Sequence, residues 1–132
     1  MRDLMVLAAQ MGQQYAREAM IDACVVTRAE PNAPVDELTG LRPTITVYSG
    51  MAKSQTRDAY EQNPEAGGHT FTVQRYRADF PVGAFVPQVG DVIEWTDCPL
   101  DPDMVGVRER ITAPFGKTFK TAMRLPVERV TD

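Results

Sequence analysis

The sequence predicts a mainly β protein: a small antiparallel β-barrel or sandwich of about six strands, preceded by an N-terminal α-helix and interrupted by long loops. Three observations carry this reading. Residues 104–130 alternate apolar and charged side chains on both sides of a proline-glycine turn. Shorter β-branched runs recur upstream between turn signals, and a helical period occupies the N-terminus.

Residues 3–19 place Leu4, Ala8, Met11 and Tyr15 at spacings of four, three and four, with Gln10, Gln13, Gln14 and Arg17 elsewhere around the wheel. This is the pattern of an amphipathic helix. Gly12 lowers its intrinsic stability by about 1 kcal/mol relative to alanine, which makes docking on an apolar surface more necessary. The stripe is expected to pack on its own domain or, in the sharper alternative, on a neighbouring subunit; Leu4, Met11 and Tyr15 are then interface candidates. Over 22–28 the pattern changes to Ala-Cys-Val-Val-Thr, which favours a short strand. Pro31, Pro34, Gly40 and Pro43 make 29–43 a long excursion within one domain.

Residues 44–55 alternate Ile45, Val47 and Met51 against Thr44, Thr46 and Ala52, with Tyr48 on the second face. Gly50 is expected to mark a bulge or bend. The stretch 57–68 is too polar and glycine-rich for a core element and reads as a second long loop. Strand character returns over 69–80, with a change of parity between Val73 and Tyr76 that implies a twist, bulge or two-sided contact. Val89-Gly90-Asp91 gives a turn into a strand whose Ile93 and Trp95 should face inward, and 97–103 is another turn.

In the closing hairpin Val105, Val107 and Ile111 share one parity, against Arg108 and Arg110. After Ala113-Pro114-Phe115-Gly116, the set Phe119, Met123, Leu125 and Val127 opposes Lys120, Arg124 and Glu128. Pro126 cannot donate a ladder hydrogen bond, so its strand is expected at an edge or with a bulge there. An edge invites completion by another chain, which adds Pro126 and Glu128 to the interface candidates.

A chain of 132 residues with 43% hydrophobic side chains is most simply one domain, here a helix over 1–20 and a barrel over 21–130, folding without metal or disulfides. Acidic residues outnumber basic ones by 18 to 14, and the net charge of -4 argues against nucleic-acid affinity through net charge alone. Cys24 and Cys98 belong to no CxxC pattern and read as free thiols in a reducing compartment, the alternative being a single disulfide. The apolar run 4–9 is short, follows Asp3 and stops at Gln10, unlike a signal peptide, and no segment approaches a span of about 20 apolar residues. A soluble protein, made in the cytoplasm and without a membrane partner, is expected.

Nothing in the chain spells an enzyme. His69 has no nucleophile signature around it, and Asp97, Asp101 and Asp103 lack the order of a calcium loop. Gly83, Gly90 and Gly106 assemble no phosphate cradle, so no cofactor or metal is expected. The aromatic and basic run Phe71-Thr72-Val73-Gln74-Arg75-Tyr76-Arg77 permits a barrel that stacks single-stranded nucleic acid, although core packing with charged ends is the plainer reading.

The order of segments resembles the head-to-tail stopper, or head-completion, proteins of long-tailed phages, especially those infecting actinobacteria. The matching stretches are Ile21-Asp22-Ala23-Cys24-Val25-Val26-Thr27-Arg28, Thr46-Val47-Tyr48-Ser49-Gly50-Met51-Ala52-Lys53, Pro87-Gln88-Val89-Gly90-Asp91-Val92-Ile93 and Arg124-Leu125-Pro126-Val127-Glu128. With their spacing they cover most of residues 21–130. The resemblance implies a virion protein without an active site: a β-barrel protomer in a cyclic ring of about six or twelve copies. That ring sits in the neck below the portal and its adaptor ring, helps retain packaged DNA, and docks the tail terminator or tail tube. A tail terminator is the alternative neck role. In proteins of this kind a loop between early strands projects into the channel. Its positional match here is 57–68, with Arg57, Asp58, Tyr60, Glu61, Asn63 and Glu65, and His69 just beyond. Carboxylates there would repel phosphate instead of gripping it.

Overall fold

The structure, a computed structural model, describes residues 1–56, 60–62, 71–73, 76–114 and 120–130. The helical period becomes α1, Arg2–Glu18, and the β-branched run that follows becomes β1, Asp22–Ala29. Next come β2 (Thr44–Thr56), β3 (Tyr60–Gln62), β4 (Phe71–Val73), β5 (Tyr76–Phe80) and β6 (Val92–Asp97). A single 3-10 turn, Pro102–Met104, leads into β7 (Arg108–Ile111) and then β8 (Met123–Arg129).

Six of these strands close into an antiparallel barrel in the order β1-β2-β5-β8-β7-β6, and β3 pairs with β4 as a separate ribbon. The expected fold is therefore met in its barrel form. The connections β1–β2, β5–β6 and β7–β8 share one end of the barrel, while the β3–β4 ribbon and the β6–β7 connection share the other. Tyr60 pairs with Val73 in the same antiparallel sense as Thr56 with Tyr76, so the ribbon follows on from the β2–β5 ladder. The stretch read as a structureless loop thus contains a strand at 60–62.

The barrel is filled by Trp95, Phe80, Ile93, Ile111, Leu125 and Val26, all fully buried. Each contributes about 1.5–3 kcal/mol by leaving water. Ile93 and Trp95 face inward as expected, as do Met123, Leu125 and Val127. Phe85, on the connection that crosses the barrel end from β5 to β6, packs against Phe80 edge-on at 5.1 Å and stacks on Tyr48 at 5.6 Å. These rings close that end.

Several sequence expectations are corrected. Pro126 is not on an edge, because β8 lies between β5 and β7. Its carbonyl accepts from Thr112 N at 3.0 Å, so its ring nitrogen faces the same side, where β7 has already ended at Ile111. The missing donor falls beyond the ladder. Gly50 does not bend β2, which runs unbroken for 13 residues; the register shift lies near Val47, between Val26 and Thr27 on the partner strand. Gly50 is glycine because a Cβ there would lie 2.8 Å from the Tyr48 hydroxyl, which donates to Met51 O at 2.6 Å. The shift lets Val47 and Tyr48 both pack on the core and reverses the expected faces beyond it, so that Ala52 is buried and Met51 exposed; Ile45, before the shift, is exposed as well. Val105 is exposed too, because the 3-10 turn and Gly106 (φ +90°) precede β7.

Candidate functional site

Helix α1 has two unlike sides. Ala9, Gly12, Gln13 and Ala16, spaced as one helical face, are partly covered, and Met20 beyond them is buried. Gln13 Nε2 donates to Lys120 O at 3.1 Å, and a Cβ at Gly12 would stand 2.5 Å from Thr121 Cγ2. Small residues bring the helix onto the β7–β8 connection. Its large apolar stripe points elsewhere: Leu4 is 67% exposed, Met11 65% and Tyr15 79%, with Leu7 exposed between them. No residue of α1 is buried, and no side chain caps its N-terminus. The expectation that this stripe packs on its own domain is overturned, because the glycine and alanine face has taken that place.

A second apolar surface lies on the β1–β2 connection. Leu38 is 95% exposed, Val35 and Leu41 in the same connection and Ile45 just after it are exposed as well, and residues 40–42 line a groove of about 570 Å³. Ala29, Val92, Glu94 and Arg108 floor the groove on the wall of β1, β6 and β7. The connection is shaped by its own bonds: Asp36 caps Leu38 N at 2.9 Å, Gly40 N donates to Asp36 O, and Arg42 Nη1 reaches Pro31 O at 2.6 Å.

The buried charges serve the fold. Arg28 grips Asp91 with two bonds of 2.8 and 2.9 Å and also donates to Val86 O, while Asp91 Oδ2 accepts from Gln88 N. This clamp fixes the β5–β6 connection across the barrel end. Glu109, fully buried on β7, accepts from Trp95 Nε1 at 2.7 Å, and Arg129 Nε stands 4.0 Å from its other oxygen. Burial raises the Glu109 carboxyl above its ordinary value, against the opposing pull of the Trp95 bond and Arg129. Arg77 is committed to Asp79 at 2.9 Å, with Lys53 and Arg124 on either side in the ladder. One carboxylate there faces three cations, and Gln74 and Arg75 of the aromatic and basic run lie outside the described residues.

Cys24 and Cys98 are free and buried, with burial as the first cause pushing their thiols up to about 12 and about 11. Among the described residues no His, Cys, Asp and Glu group has the makings of a metal site, and no helix is long and apolar enough to cross a membrane. Of the channel-loop candidates, Tyr60 and Glu61 stand on β3; Arg57, Asp58, Asn63, Glu65 and His69 lie outside the described residues. Of the interface candidates, Leu4, Met11 and Tyr15 are brought together on one exposed stripe. Pro126 sits inside the barrel wall, and Glu128 pairs with Arg110 at 3.1 Å across β7 and β8. Leu38 and Leu41 escaped sequence reasoning, since two leucines in a proline-rich connection carry no period; their signal was apolar bulk where turn residues prevail.

No curated protein and no solved structure matches the chain. One family does match, over residues 12–128, a span that runs from the docked half of α1 to the penultimate residue of β8. The chain belongs to this family, DUF6093, a family of unknown function.

Proposed function

We propose that the protein is a structural subunit of a phage neck, a head-to-tail stopper that forms a ring, helps retain packaged DNA and presents the docking surface for the tail. The resemblance of the ordered segments over 21–130 supports the neck assignment. The observation that carries the assembly role is the Leu4, Leu7, Met11 and Tyr15 stripe, turned away from its own barrel. A helix of 17 residues with a central glycine, no side-chain cap and no buried residue gains little from its own domain, and tertiary packing supplies most helix stability in proteins. A partner surface accounts for it. The barrel is the rigid protomer, its neighbours in the neck are the portal adaptor above and the tail above which it stands, and the β3–β4 ribbon is the segment set to face the DNA channel.

The test is genetic and structural. Particles of the encoding phage assembled without this chain should fill with DNA, then lose it and fail to join tails. A reconstruction of the intact neck should contain the barrel as one closed ring. Heads that keep their DNA and join tails without the chain would overturn the proposal.

A further inference from the structure

The two exposed apolar surfaces lie on different parts of one chain, and this sets how copies meet. We infer that the protein associates head to tail with itself, the Leu4-Leu7-Met11-Tyr15 stripe of one copy seating on the Leu38-Leu41 connection and its underlying groove on the next. The inference deepens the ring reading above and rests on it for closure.

Area is the first argument. Taking about 150–250 Å² for a whole large apolar side chain, the exposures along the helix stripe amount to roughly 500 Å², and those of Val35, Leu38, Leu41 and Ile45 to about as much. Together they supply roughly 1,000 Å², and the groove walls bring the contact toward the total of about 1,200–2,000 Å² typical of specific interfaces. Economy is the second. A two-fold helix-to-helix contact would cover the stripe and leave Leu38 and Leu41 in water, whereas a head-to-tail contact covers both surfaces at once. Such a heterologous contact generates a ring when its rotation closes.

Shape gives the third argument. The helix meets its own barrel through glycine and alanine, at the residues before β8, and the groove lies on the wall of β1, β6 and β7. The helix contact uses Lys120 and Thr121, which line no part of the groove, so seating a neighbour there leaves the helix on its own barrel undisturbed. The groove also carries charge of both signs in Glu94 and Arg108, and the stripe is flanked by Asp3, Arg17 and Glu18. A mixed-charge rim around an apolar centre is the usual anatomy of such a contact.

Two full-length variants test this: Leu4→Glu with Met11→Glu, and Leu38→Glu with Leu41→Glu. All four positions are exposed, so circular dichroism and thermal midpoints should match the parent. Sedimentation of the parent across rising concentration should show self-association, and each variant should weaken it by about tenfold or more, as loss of central apolar anchors does. An equimolar mixture of the two variants should form dimers and stop there, since each pair retains one intact stripe and one intact acceptor. A mixture that stays monomeric, an acceptor variant that associates like the parent, or a parent that is monomeric at every concentration overturns the head-to-tail contact. Association as described by a chain found in no phage particle would instead overturn the neck assignment and leave the contact standing.

Discussion

At the residue scale, the Arg28–Asp91 clamp shows how one ion pair holds a connection in place. Asp91 is 1% exposed and Arg28 24%, so the two partners are not equivalent. Arg28→Ala strands a buried carboxylate and should cost about 3 kcal/mol, whereas Asp91→Ala frees a guanidinium that reaches water and should cost about 1–2 kcal/mol. Urea unfolding of the two variants checks the order, and equal costs would refute it. Glu109 offers a test in pH. Its folded carboxyl holds a proton above the ordinary value of 4.5, chiefly through burial, so its contribution to stability is full below that value. That contribution is lost as pH rises through the folded value. Glu109→Gln keeps an oxygen for Trp95 Nε1 and cannot ionise; it should flatten this part of the decline, and an unchanged slope above pH 4.5 would sink the assignment. Asp79, also raised by burial, keeps its own share of the slope. The clamp was not legible beforehand: Asp91 looked like a turn residue beside Gly90, and its partner lies 63 residues away in sequence. Glu109 shares the parity of Val107 and Ile111, so alternation points it inward, but its partner Trp95, 14 residues away, is not written in that pattern.

At the element scale, what was legible follows from how local the signal is. Alternation located β6 and β8 with the right faces, and the 3.6-residue period located α1 to within a residue, because those patterns are written in consecutive side chains. The faces of β2 beyond Val47 were not, since a single register shift there exchanges inward and outward positions. For α1 the period showed an apolar stripe but not which side meets the barrel. Gly12, read as a simple cost in helix stability, is the point of closest approach to Thr121. Gly12→Ala should therefore loosen the helix from the barrel despite about 1 kcal/mol of gained propensity, with faster amide exchange over 9–16. Adding Thr121→Ser removes the opposing methyl and should restore protection beyond the parent level. If Gly12→Ala alone tightens the helix, the close approach does not govern docking.

At the scale of the whole molecule, closure of the barrel decides what the chain tolerates. A closed sheet has no free edge, which is why Pro126 is accommodated at a ladder end and not at an exposed rim. Among the described side chains the core draws on β1, β2 and β5 through β8, and none of its members comes from α1. Thr56 and Tyr76 are directly paired, so the chain between them is a detour from a ladder that is already closed at that point. Replacing 57–75 by a two-residue Asn-Gly turn, which suits a hairpin, should leave the barrel folded with a thermal midpoint within a few degrees of the parent. It should also leave the head-to-tail contact intact, since neither surface includes those residues. In particles, the same variant should form the neck ring yet fail to retain DNA if the ribbon faces the channel. DNA retention equal to the parent would remove the ribbon from the proposed function, and a barrel that no longer folds would show that the ribbon belongs to the fold itself.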